Sequence, residues 1–245
     1  MTRSFSIMPL LLAAALACAT ARAADYRAEL DLSFDNTDPD GPGAPDVDVF
    51  GVEGSYYFAP VTTDGKPLAE AAFLNRSGYV GAGAARLDAG DEDFDILAAE
   101  VGCYVPGTMF FGRIGVTHVD DLGPGDSTRW NGTFGIAPMD GLLVTTDFDE
   151  DGWDPNVRAR YVGRFGTGHW YAAGISATDP DDDDPDVGLD VDFFFDETFS
   201  VGAGVSDDTR AARIEKFFQP NFAVGARVYE DDDGDGFGAT LRWRF

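Results

Sequence analysis

Residues 26–35 set Tyr26, Ala28, Leu30, Leu32 and Phe34 against Arg27, Glu29, Asp31, Ser33 and Asp35, an apolar–polar period of two with no helical competitor. The same alternation returns at 50–58, 130–136, 157–165, 187–195, 199–205, 222–228 and 237–245. Weaker versions lie at 77–87, 92–105, 107–119, 141–148, 169–177 and 210–218. The pattern predicts fourteen strands, or twelve if weak neighbours merge. Only 66–74 (KPLAEAAFL) breaks it, with helix formers after Pro67 that predict one or two helical turns.

The connections between these segments take turns. One set is acidic: 35–48, 88–95, 120–126, 147–154, 179–186, 207–208 and 230–235. The other is short: 105–107, 138–141, 166–169, 196–198 and 219–221, with 61–76 as its one long member. An up-and-down meander puts alternate connections at opposite ends, so most of the 44 acidic residues gather at one end and the other is nearly neutral. Adaptation to salt would coat both ends and does not explain this. Aromatic residues crowd the short turns: Phe58, Tyr104, Phe110, Phe111, Phe165, Trp170, Tyr171, Phe199, Phe217, Phe218, Phe222 and Phe245. A row of rings at one level is what a membrane–water interface selects. In hydrocarbon an open sheet edge would leave backbone groups unpaired at several kcal/mol each, so the sheet must close. The expected fold is all-β, a transmembrane antiparallel up-and-down barrel of about 14 strands, with long acidic extracellular loops and short periplasmic turns.

The first residues change the picture further. Arg3, an apolar run from Ile7 to Ala17, and Ala21-Arg22-Ala23 as a small-x-small site have the order of a secretory signal over 1–23, leaving 24–245 as a single barrel domain. The apolar run is shorter than the roughly 20 residues a spanning helix needs. Cys18 leaves with the signal, because Ala15 stands where a lipidation signal wants Leu, and Cys103 then has no partner for a disulfide. Loss of Arg3 and Arg22 makes a chain of formal charge −27 more negative still, which excludes nucleic acid as a partner class. The aromatic content of 13% argues against acidic disorder.

The last residues, FGATLRWRF, resemble the C-terminal signal that the outer-membrane barrel assembly machinery reads, with Phe237, Leu241, Trp243 and Phe245 in the matching places. VFGVEGSYYFAPV at 49–61, followed by PLAEAAFLNRSGYVGAG at 67–83, resembles the putative general porins of Gram-negative bacteria. That resemblance implies a small outer-membrane barrel for passive diffusion of solutes, among outer-membrane lipids and lipopolysaccharide, and names no solute. A homotrimer is one assembly open to it.

Candidate chemistry is sparse. His118, beside Asp120 and Asp121, lies at the acidic end, whereas His169 lies in a short turn at the other, across an apolar band of about 25 Å. They cannot share a site, and catalysis is not expected. The polar faces are more informative. They carry Arg113, Arg129, Arg158, Arg160, Arg213, Arg227, Arg242 and Arg244, together with Arg27, Glu29, Asp31, Glu53, Asp190, Asp192 and Glu215. Two arrangements follow: a constriction of charged side chains that selects among ions, or arginine–carboxylate pairs that fill and shut the bore, leaving a structural or adhesive barrel. No cofactor is expected. Asp147-x-Asp149-x-Asp151-Gly152 and Asp231-x-Asp233-x-Asp235-Gly236 copy the start of a calcium loop, but the twelfth positions are Arg158 and Arg242 where a bidentate Glu belongs. That excludes the helix-loop-helix calcium fold. Solvated acidic tips, or weak calcium or magnesium sites bridging to lipopolysaccharide phosphates, stay open.

Overall fold

The computed structural model describes residues 25–41, 45–90, 92–120, 127–150, 152–178, 186–231 and 234–245. The strands are β1 (Asp25–Pro39), β2 (Val47–Thr62), β3 (Tyr79–Ala89), β4 (Glu92–Tyr104), β5 (Phe110–Asp120), β6 (Ser127–Ile136) and β7 (Leu142–Asp149). They continue with β8 (Gly152–Phe165), β9 (His169–Thr178), β10 (Asp186–Phe194), β11 (Phe199–Val205), β12 (Thr209–Gln219), β13 (Phe222–Asp231) and β14 (Gly234–Arg244). Each pairs antiparallel with its neighbours in the chain, and β1 closes on β14. At that seam Asp31 stands opposite Arg242 and Leu32 opposite Leu241, so polar meets polar on the inner face and apolar meets apolar outside. The fourteen-strand expectation holds, and no weak pair merges.

The molecule is turned inside out relative to a soluble domain. Phe50, Leu97, Ile114, Leu189, Val191, Ile214 and Val228 are exposed on the outer wall. In water such a surface would be an aggregation liability, whereas in a bilayer it is the half of each strand that meets lipid. The bore receives the other half, including Glu29, Asp31, Glu53, Glu100, Asp192 and Glu215.

Many of the acidic segments expected as loops are paired strand. β1 and β2 stay in register to Thr37 opposite Val47, and β13 and β14 pair to Asp231 opposite Gly234. Asp is a poor strand former, which is why these stretches look like loops in sequence. Cross-strand bonding overrides that preference, as at Asp35 and Asp147 below. Towards this acidic end the outer face itself turns polar, with Asp48, Asp88, Asp93, Asp95, Glu230 and Asp235 following apolar residues on the same side of their strands. The switch of polarity within one strand explains why β3, β4 and β12 alternate weakly.

The buried apolar clusters sit at the opposite, short-turn end, around the connection from β2 to β3. A 3-10 turn (Leu68–Glu70) runs into a single turn of α-helix, α1 (Ala71–Leu74). This segment folds inward. Ala71 packs on Tyr26, Tyr57 and Val61; Leu68 packs on Phe217 and Ala223; Ala69, Phe73 and Leu74 pack on Val162, Ala172, Phe194 and Trp170. The helical turn was legible in sequence; the inward fold was not.

Two sequence expectations are corrected here. A bulge between Tyr26 and Ala28 turns Tyr26 into the bore, where it meets Tyr57 edge to face at 5.5 Å, and leaves Arg27 exposed instead of on the inner face. The aromatic residues of the short-turn end also divide. Phe58, Phe110, Phe165 and Phe218 face outward, as an interfacial girdle requires, but Phe217 and Trp170 point inward and support the connection.

Candidate functional site

Strand alternation places Arg113, Arg129, Arg158, Arg160, Arg213, Arg227 and Arg242 on the same face of their strands as Asp31 and Glu100. What alternation could not give is their partners. Arg242 bonds Asp31 at 2.8 Å and Glu215 at 3.0 Å, with Glu29 3.7 Å away. Arg213 holds Asp192 at 2.6 Å and Asp190 at 3.3 Å. Arg227 reaches Asp35 at 2.6 Å, Arg158 reaches Asp147 at 2.9 Å, and Arg113 lies 3.4 Å from Glu100. Each guanidinium is therefore drawn along the wall towards a carboxylate instead of standing into the bore.

Two lumenal groups differ. Arg129, opposite Thr117, has no carboxylate within 4.0 Å among the described residues. Glu53, directly opposite Asp31, likewise has no guanidinium among them.

The inward-folded connection adds a group that sequence reasoning missed. Glu70 is 4% exposed, and its Oε1 takes a bond from Arg160 Nη2 at 2.6 Å. Its Oε2 is buried with no hydrogen-bond partner among the described residues. Burial pushes the Glu70 carboxyl above its ordinary range, with Arg160 opposing that rise. The sequence signal was a lone Glu in the otherwise apolar run PLAEAAFL, and it reads equally well as an exposed helix former. The Leu68 carbonyl accepts from Arg244 at 2.9 Å, the Leu68 amide donates to the Glu197 carbonyl, and Arg76 reaches the Met139 carbonyl in the β6–β7 turn. The connection thus touches the wall in several sectors. Above it, Glu70, Arg160, Asp190, Asp192, Arg213 and Arg242 line a cavity of about 620 Å³.

The remaining candidates are scattered. Asp147 is a lumenal strand residue engaged by Arg158 and Thr133, and Asp149 lies two residues further along the same face. Asp231 pairs with Thr209 on the inner face, whereas Asp235 pairs with Glu230 on the outer, so these two carboxylates diverge. Asp151 and Asp233 lie outside the described residues, and no group of three metal-ligating side chains is found within them. His118 faces outward with Nδ1 2.8 Å from Thr128 Oγ1, and Asp120 shares that face; Asp121 lies outside the described residues. His169 stacks on Phe193 at the far end, Nδ1 2.9 Å from the Phe195 carbonyl. On β14, Phe237, Leu241 and Trp243 face outward, and the Phe245 amide bonds the Ala28 carbonyl.

The barrel is similar to the crystal structure of the Acinetobacter baumannii outer membrane protein Omp33, with a TM-score of 0.75 and 22% identity over 91% of this chain and 100% of that one. The KdgM porin in complex with disordered oligogalacturonate aligns with a TM-score of 0.45 and 9% identity, over 88% of this chain and 99% of that one. A Rhodopseudomonas blastica porin triple mutant gives 0.45 and 10%, over 89% and 99%. A comparison with curated proteins finds no match. The family model described as putative general bacterial porin matches residues 3–121. Through those residues, a little under half of the chain, the sequence is similar to the putative general bacterial porins, and the whole chain has the closed barrel fold described above.

Proposed function

We propose that this barrel is a porin, that it lets small hydrophilic solutes and ions diffuse passively across the outer membrane, and that it favours cations. The observation that carries the proposal is the pairing of the wall. Arg113, Arg158, Arg213, Arg227 and Arg242 are each neutralised by a carboxylate within 3.4 Å, while Glu53 stands unpaired among the described residues. A polar wall most of whose positive groups are held against negative ones passes water-soluble species; Glu53 and Arg129 offset one another, and the acidic mouth then enriches cations within a screening length of roughly 8 Å at physiological salt. Catalysis plays no part in this function. Export by residues 1–23 and recognition of Phe237, Leu241, Trp243 and Phe245 by the assembly machinery belong to the same proposal.

Liposome swelling tests it. Vesicles carrying the purified barrel should swell in small sugars and progressively less in larger ones, whereas vesicles that never swell would contradict diffusion. A second reading, a permanently shut barrel with a structural or adhesive acidic rim that binds divalent cations or lipopolysaccharide, is favoured by one observation, the connection packed across the short-turn end. Absence of swelling would select it.

A further inference from the structure

Three times in the wall an arginine, a glycine and an aspartate stand in one row across three neighbouring strands. The rows are Arg213, Gly202 and Asp192 on β12, β11 and β10; Arg227, Gly238 and Asp35 on β13, β14 and β1; and Arg160, Gly174 and Asp190 on β8, β9 and β10. In the first two rows the guanidinium crosses the glycine to the aspartate, Nε to Oδ1 being 2.7 Å in each. Glycine makes the crossing possible, because a Cβ at 202 or 238 would lie 2.8 or 2.9 Å from the arginine Nε. The third row has the same parts and a different bond. Asp190 already lies over Gly174, its Cγ 2.9 Å from where a Cβ would be, but Arg160 turns away to Glu70 at 2.6 Å.

We propose that Arg160 is a two-position latch: on Glu70 it holds the β2–β3 connection in the bore, and turned across Gly174 onto Asp190 it releases that connection and opens the path. This rests on the diffusion reading above. Glu70 is buried with one oxygen unpartnered, so its ionised form stays inside only while Arg160 neutralises it; a buried carboxylate that loses its cation is strongly destabilised. Arg160 is half exposed and borders the 620 Å³ cavity that Asp190 also lines, which gives its side chain room to turn. Asp190 is loosely held, by one 3.3 Å contact to Arg213, whose shorter bonds go to Asp192. Exchange replaces one carboxylate by another, so the released state does not strand a charge.

Single-channel recording in planar bilayers tests the latch, with heat-modifiable gel mobility confirming that each variant is a folded barrel. Arg160→Gln removes the bond of both positions, so it should shorten closed times about tenfold or more, the size expected when a charge-assisted bond is lost, and shorten openings as well. Arg160→Lys should restore closure in part. Asp190→Asn should leave closed times alone and shorten openings by about tenfold, a split that a merely structural role would not produce. Steps with wild-type closed times in Arg160→Gln, or wild-type open times in Asp190→Asn, would overturn the latch alone. Silence from the wild type and every variant would overturn it together with the diffusion reading.

Discussion

At the scale of single residues the wall is built from arginines that need a gap beside them. Gly202 and Gly238 supply it, so a side chain there must push apart an ion pair and its own strand neighbours. Gly238→Val should destabilise the folded barrel by about 1.5–3 kcal/mol, the worth of a charged hydrogen bond, in urea titrations of the micelle-bound protein. Gly112→Ala, where nothing lies within 4 Å of the added Cβ, should stay within about 0.5 kcal/mol of the parent. Charge follows the same geometry. Arg227→Glu would set two carboxylates side by side where Arg227 now neutralises Asp35, and the reversal potential should move towards cations. An unchanged value would place Arg227 off the conducting path. The inward direction of these arginines was legible because a period of two fixes the face. Their partners were not, because register is set by pairing between strands: Arg227 and Asp35 are 192 residues apart in the chain.

At the scale of elements, each strand is read by lipid on one side and by water on the other. Ile214 lies on the outer face of β12 and is exposed, whereas Arg210, on the same face nearer the acidic end, pairs across the strands with Glu230. Ile214→Arg should therefore cost about 2–4 kcal/mol of barrel stability, as a cation on the lipid face near the midplane does. A cost near zero would place Ile214 outside the apolar band. The β2–β3 connection obeys a different physics, that of a small soluble core, and its buried carboxylate, Glu70, titrates. Burial holds the docked Glu70 carboxyl above its usual range, with Arg160, Asp192 and Arg242 around it, while released Glu70 faces water. The docked form then binds its proton more tightly, so docking strengthens as pH falls through the docked value and is weakest above it. The open fraction should be lower at pH 5 than at pH 7.5, and Glu70→Gln should flatten that dependence. The helical turn was legible from Pro67 and the residues after it. Its direction was not, because an amphipathic turn packs equally well under a barrel rim or inside it.

At the scale of the whole molecule, the alternation of acidic and short connections was enough to predict an even-stranded closed barrel with one negative end. It misjudged where strand gives way to loop, because Asp35 and Asp147 look like solvent-exposed residues until their guanidinium partners are known. The bore that results is polar and nearly self-neutralised, with Glu53 and Arg129 lacking an ionic partner among the described residues. Reversal potential in a tenfold gradient of potassium chloride weighs these groups directly. The balance described here predicts discrete conductance steps with a reversal potential displaced towards that of potassium. Steps whose potential lies on the chloride side would contradict it.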